Sequence, residues 1–226
     1  MIAALPHGSW PLDWFFTRPC PLCRQPLSPP GLTPRLCPSC RASLLLPSQG
    51  LRGTEPLPWW GVGTYQGTFR RLLLELRKRP HVERMAALLQ GLEPPTFPAG
   101  ITPLLVPVPG WKRRANPLPA LTGQLAGRQW RWGNANLLRR SRPVLGQHHL
   151  NQAMRQENQR GAFTCHRHPR GGERRLHPVL LVDDILTTGA TALNAAEALR
   201  AGGWHVHGLI CLARTSGRRQ ATNGDL

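Results

Sequence analysis

The stretch Val179–Thr191, VLLVDDILTTGAT, sets four apolar residues before two acids and then a Thr-Thr-Gly turn. A continuous apolar run is what a central parallel strand, buried on both faces, requires. Asp183 and Asp184 then stand at its carboxyl end, the edge where ligands of open α/β sheets bind. Leu186, Thr187, Thr188, Gly189, Ala190 and Thr191 lead into a helix, with Gly189 permitting a tight turn. The start of a helix points unpaired backbone N–H groups outward, and a phosphate is their favoured guest. Carboxylates accept hydrogen bonds from vicinal hydroxyls such as those of a ribose. One loop can therefore hold a 5-phosphate with its amides and the 2- and 3-hydroxyls with its acids. A bare strand–turn–helix with capping threonines explains each residue singly but not the set. A Walker A loop is excluded, because no Gly-Lys-Ser/Thr follows.

Two further groups of residues have chemistry in their spacing. Leu105-Val106-Pro107-Val108-Pro109 ends a short apolar run and passes into Gly110-Trp111-Lys112-Arg113-Arg114. A strand that enters a basic turn is a cradle for pyrophosphate, with Val108, Pro109, Lys112, Arg113 and Arg114 as its residues. An ordinary surface turn with solvated cations is the alternative. Cys20, Cys23, Cys37 and Cys40 give two Cys-x2-Cys pairs, spaced so that two knuckles place four sulfurs on one zinc. With all four ligands supplied by cysteine, such a site has no open position and is structural. A redox Cys-x-x-Cys would open a helix of a larger βαβ unit, which residues 1–50 do not offer. Cys165 and Cys211 fit no ligand pattern, and Cys211 lies in an apolar run, as a core residue would. The paired histidines lack ligand spacing. Among the eight tryptophans, Trp59, Trp60, Trp111, Trp130 and Trp132 could stack bases, with packing the alternative.

The elements that must position these residues can be read from the pattern around them. Residues 1–50 are rich in Pro and Cys with little periodicity, and 51–64 read as a linker. Phe69, Leu72, Leu73, Leu76, Met85, Leu88 and Leu89 follow helical spacing, which Pro80 splits in two. Residues 104–108 read as a strand, 119–132 as a helix and 137–138 as the start of another strand. Residues 151–160 read as a polar helix and 166–177 as a basic loop. Residues 188–201 read as a helix closed by Gly202-Gly203, 205–213 as a strand, and 217–226 as a flexible tail. Strands alternating with helices point to a parallel α/β sheet.

Composition narrows the partners. Lys and Arg total 29 against 11 Asp and Glu, a formal charge of +18. Only Lys78 and Lys112 are lysine, a bias that high-GC coding also produces. A field of this sign attracts polyanions, nucleic acid among them. No signal peptide is visible and no apolar stretch is long enough for a membrane span, so a cytoplasmic location is expected.

VLLVDDILTTGAT resembles the motif by which type I phosphoribosyltransferases bind phosphoribosyl pyrophosphate (PRPP). The Val-Pro-Val-Pro run resembles the pyrophosphate loop of the same superfamily. Residues Gln147–Phe163 resemble a block of the ComF family of DNA uptake and natural competence, with Gln147, Leu150, Arg155, Asn158, Ala162 and Phe163 at the matching positions. That family also carries four cysteines before its phosphoribosyltransferase domain, so the likeness covers roughly residues 14 to 215. Its members usually have an Arg-Gly-Phe-Asn-Gln-like run after the Val-Pro-Val-Pro block. Here Asn116 and Leu125-Ala126 fit the spacing, whereas the Gly-Phe and the Gln are replaced.

The resemblance implies a four-cysteine zinc module over 1–50 and a phosphoribosyltransferase-like domain over 65–216. PRPP and its Mg2+ would sit on Asp183, Asp184 and residues 186–191. Arg155 would close over the pyrophosphate, making it a catalytic residue beside the two acids. Single-stranded DNA and the competence helicase or uptake machinery would be the partners. Whether PRPP is turned over, or only bound, stays open. Nucleotide or nucleobase salvage is a further reading, although no base-recognition hood can be identified.

Overall fold

The computed structural model describes residues 18–28, 31–110, 116–141, 161–166 and 177–216. Its main sheet has six strands in the order β1-β2-β8-β7-β3-β4, in which only β1 and β2 pair antiparallel. These are β1 (Leu51–Gly53), β2 (Trp59–Thr64), β3 (Leu104–Pro107), β4 (Gly133–Asn134), β7 (Val179–Leu186) and β8 (Val206–Arg214). The expected parallel α/β sheet is present, with β7 and β8 at its centre.

Helices cover both faces, which is why β7 carries no alternation until it reaches the acids. On one face lie α2 (Gly67–Lys78), α3 (Val82–Leu89) and α4 (Leu118–Trp130). Phe69, Leu72, Leu73 and Leu76 form the buried stripe of α2 at helical spacing. They pack with Leu88, Leu105, Leu180, Val182 and Ile210 in one core cluster. On the other face lies α5 (Ala190–Ala201), whose Ala192, Ala195, Ala196 and Leu199 meet Leu181, Val206 and Leu209. Burying one such large apolar side chain contributes about 1.5–3 kcal/mol.

Two expectations need correcting. Residues 51–64 are not a linker, because they supply β1 and β2. The glycines of WWGVGT lower its strand propensity, yet they admit close neighbours. A side chain at Gly61 would crowd Cys211 Sγ, and one at Gly63 would crowd Leu46 and Phe69. The strand begun near Leu138 is real but belongs elsewhere. β5 (Leu138–Arg140) pairs antiparallel with β6 (Phe163–Cys165) in a separate ribbon beside α5. The helix expected over 151–160, most of the basic loop and the tail lie outside the described residues.

The cysteine segment, with α1 (Pro38–Ser43), docks on α2 and α3. Leu22 and Leu36 pack on the core cluster that holds Leu44 and Leu46. Arg84 donates from Nε to the Pro21 carbonyl at 3.3 Å and pairs with Glu75 at 2.8 Å, while Arg18 pairs with Glu83 at 3.1 Å. No helix among the described residues is long and apolar enough to cross a membrane.

Candidate functional site

β7 continues through both acids to Leu186, so the two carboxyls leave on opposite faces of one strand. Their surroundings differ accordingly. Asp184 is buried, at 4% exposure. Its Oδ2 accepts from Arg77 Nε at 2.5 Å and from Asn116 Nδ2 at 2.8 Å, and its Oδ1 accepts from the Ile185 amide at 2.9 Å. The Asn116 Oδ1 in turn accepts from Leu118 N at 3.2 Å, at the start of α4. One carboxylate thereby ties α2, α4 and β7 together.

Asp183 Oδ1 accepts from the Asp184 amide at 2.8 Å. Burial and the adjacent Asp184 charge push its carboxyl up to about 8. It is the acid with acceptor capacity to spare, and a guest that donates hydrogen bonds would favour its ionised form.

Beyond Leu186 the chain turns through exposed Thr187 and Thr188 to Gly189, which has φ +82°. A side chain there would be strained and would run into the Pro56 ring. Ala190 opens α5, with Thr191 in its first turn. The carbonyl side of the turn is tied down from β8. Leu186 O accepts from Thr215 N at 3.0 Å, and Arg214 donates to the carbonyls of Leu186 and Thr187. At the helix start the Ala190 amide donates to Thr188 Oγ1 at 3.4 Å. The expected phosphate residues 186–191 thus form one continuous strand–turn–helix beside the acids.

Val108 extends the pairing of β3 with β7, donating its amide to Val182 O at 2.8 Å, and Pro109 O accepts from Arg140 Nε at 3.0 Å. The Val-Pro-Val-Pro end therefore lies beside the strand that carries the acids. Lys112, Arg113, Arg114 and Arg155 lie outside the described residues. Ala162 and Phe163, at the close of the 147–163 block, are buried against α5.

Cys20, Cys23, Cys37 and Cys40 bring their sulfurs within 4.8 Å of one another, with Cys23 and Cys37 Sγ 3.6 Å apart. Four sulfurs on a tetrahedral zinc at about 2.3 Å would stand roughly 3.8 Å from each other, so the donor set fits. The Cys40 amide donates to Cys37 Sγ at 3.4 Å, as a thiolate knuckle needs. Burial opposes the Cys20 thiolate, but hydrogen bonds from the backbone of Cys23, Cys37 and Leu22 outweigh it and lower the thiol to about 6. Burial and the neighbouring sulfurs push Cys40 up, a repulsion that a cation would relieve. The donor set suits a structural zinc in chemistry and in shape.

The chain is 30% identical over 199 residues to DNA utilization protein YhgH of Salmonella typhimurium, spanning 80% of this chain and 84% of that protein. The protein of the same name from Salmonella typhi is 31% identical over 199 residues, with the same shares covered. The chain belongs to the family of DNA utilization protein YhgH. No family model matches it.

In this YhgH-family chain, sequence reading overlooked two arginines of the site. Arg77 falls four residues after Leu73, on the buried stripe of α2, and a cation on an apolar stripe was a readable sign of a buried partner. Arg140 carried no such sign. Its half-buried guanidinium lies over the Phe163 ring at 4.7 Å, and burial lowers its pKa. Pro56, which seats Gly189, was hidden within the supposed linker.

Proposed function

We propose that this chain is a ComF-type protein that binds PRPP through a phosphoribosyltransferase-like domain and acts in DNA uptake, with single-stranded DNA as its partner. The observation that carries the reading is the pair of acids at the carboxyl end of β7, running directly into the Thr187–Thr191 helix start. Asp183 accepts from the ribose hydroxyls, and Asp184, held by Arg77 and Asn116, fixes the strand end. The turn and first amides of α5 take the 5-phosphate. Mg2+, carried with PRPP, would supply charge neutralisation at the pyrophosphate. Val108, Pro109, Lys112, Arg113 and Arg114 face the leaving group, and Arg155 closes over it. In this reading residues 1–50 form the zinc module, 65–216 the phosphoribosyl domain with β1 and β2 joined to its sheet, and 217–226 a tail. The work is cytoplasmic, alongside a competence helicase or uptake machinery. The relatives' name, DNA utilization protein, and the +18 charge support the DNA half of this reading.

The test is calorimetric titration of the zinc-loaded protein with PRPP and Mg2+. Wild type binds, and the Asp183→Asn/Asp184→Asn variant does not. Equal heats from the two would overturn the ligand. A second reading, transfer of the phosphoribosyl group from PRPP to a nucleobase or other acceptor with pyrophosphate as the leaving group, is favoured by Arg140 beside the Pro109 carbonyl, where leaving-group charge would collect. It predicts pyrophosphate release above that of the double variant. The DNA half is tested by oligonucleotide binding, which should weaken steeply with salt if phosphates are contacted.

A further inference from the structure

Along the amino-terminal edge of the sheet, five rings from separate parts of the chain form an unbroken row. Trp60 of β2 stacks on His207 of β8, with centroids 5.9 Å apart and planes 11° from parallel. His207 meets Phe97 at 4.7 Å, Phe97 meets Trp132 edge-on at 5.7 Å, and Trp132 meets Trp130 at 5.0 Å. All five are half-buried, and the four besides His207 pack on the core beneath. Core packing accounts for their inner sides only.

Beside Trp60 and His207 opens a cavity of about 510 Å3, bounded by β1 and the segment 93–96. That volume suits a small planar ligand. The rest of its wall mixes apolar Leu51, Pro94 and Pro95 with the polar side chains of Gln49, Arg52, Glu93 and Thr96, and those four are exposed. An extension of the core would not be lined this way. Such groups can pair with the edge of a base, while aromatic faces take its ring. Burial and the neighbouring His205 keep the His207 imidazole below its ordinary pKa, so the ring is neutral near pH 7.

Three arginines around the row have the sign that suits a nucleic-acid partner, against one acid, Glu93, at the cavity. Arg52 is exposed at the cavity, Arg131 is exposed between Trp130 and Trp132, and Arg128 is exposed one turn before. Rings interleaved with arginines describe a platform for single strands, in which bases stack and cations track the backbone.

We propose that this row and its cavity form a second binding site, which takes an unpaired base of single-stranded DNA on Trp60 and His207 while Arg52 meets the adjoining phosphate. The site rests on the single-stranded DNA reading above. It shares no residue with the phosphoribosyl loop, which lies roughly 23 Å away at the far end of β8.

The test uses the full zinc-loaded chain, a labelled 20-nucleotide single strand and an abasic strand of equal length, at one fixed low salt concentration. Wild type should favour the base-bearing strand by about tenfold or more. Trp60→Leu should abolish that preference. Because Trp60 also packs on the core, Arg52→Glu, on an exposed edge position, is the second variant and should weaken both strands severalfold. Photocrosslinking through 5-bromodeoxyuridine should map to Trp60 or His207. Equal binding of the two strands by wild type, or crosslinks confined to other segments, would overturn the site while leaving DNA binding itself intact. No binding of either strand would overturn both. PRPP titrated in parallel separates the loop: its affinity should survive Arg52→Glu, and base preference should survive Asp183→Asn/Asp184→Asn.

Discussion

The cysteine cluster and the β7 loop differ in how completely the chain itself supplies their partners. Around the cysteines the chain supplies every donor, four sulfurs within 4.8 Å, and leaves no position for a substrate. At the end of β7 it completes the shell of Asp184 and leaves Asp183 short of partners. A closed site returns its binding energy to folding. In the proposed reading the β7 loop instead keeps acceptor capacity for a ligand.

The largest effect should come from opening the closed site. Structural zinc in small modules binds with about 10–16 kcal/mol, most of which is folding energy. Chelation, or Cys37→Ser, should unfold the 18–46 region, release one zinc per chain and expose the α2 face, as hydrogen exchange would show. Retention of full amide protection after chelation would break the comparison.

Next comes the Asp184 clamp. Arg77→Ala strands a buried carboxylate, a change worth about 3–5 kcal/mol when both partners are buried. The Arg77 side chain is 34% exposed, so solvent screening reduces this to about 2–3 kcal/mol. Denaturant melting measures it. Arg77→Lys should recover part of the loss.

Gly189→Ala should cost about 1–2 kcal/mol, for its positive φ and the Pro56 ring, and weaken PRPP binding by about tenfold. A shift in affinity without loss of stability would show that Pro56 gives way.

The last effect, at Asp183, is read through pH. Its carboxyl is raised in the folded chain to about 8, well above an ordinary aspartate. Its stabilising contribution is complete at pH values below the unfolded aspartate range. It falls as the unfolded chain ionises and is lost as pH passes through about 8. Asp183→Asn should flatten that slope and, because the amide stays neutral, raise stability at neutral pH relative to wild type. Ligand binding runs the other way. Hydroxyl donors select the carboxylate, so PRPP affinity should rise severalfold from pH 7 to pH 8.5 with release of a proton, and Asp183→Asn should remove both effects.

What was legible in the sequence was local. VLLVDDILTTGAT fixed a strand, a turn and a helix because its signals lie within thirteen residues, and the cysteine spacing worked in the same way. The amphipathic stripe of α2 and its break at Pro80 were equally plain. What escaped depends on partners far along the chain. WWGVGT becomes a strand only because β8 lies beside it, pairing Trp59 with Leu209 and Thr64 with Arg214. Leu138 announced a strand but not its mate, Cys165. Asn116 was noted for its spacing alone, and its bond to Asp184 spans 68 positions.

The borders of the sheet carry a consequence of their own. β1 has three residues and β4 has two, flanking central strands of eight and nine. Long bare borders recruit other chains by strand addition, and very short ones give an incoming strand little to pair with. Copies of this chain brought close together on a common strand, as the proposed function would have it, could thus be crowded without their sheets fusing.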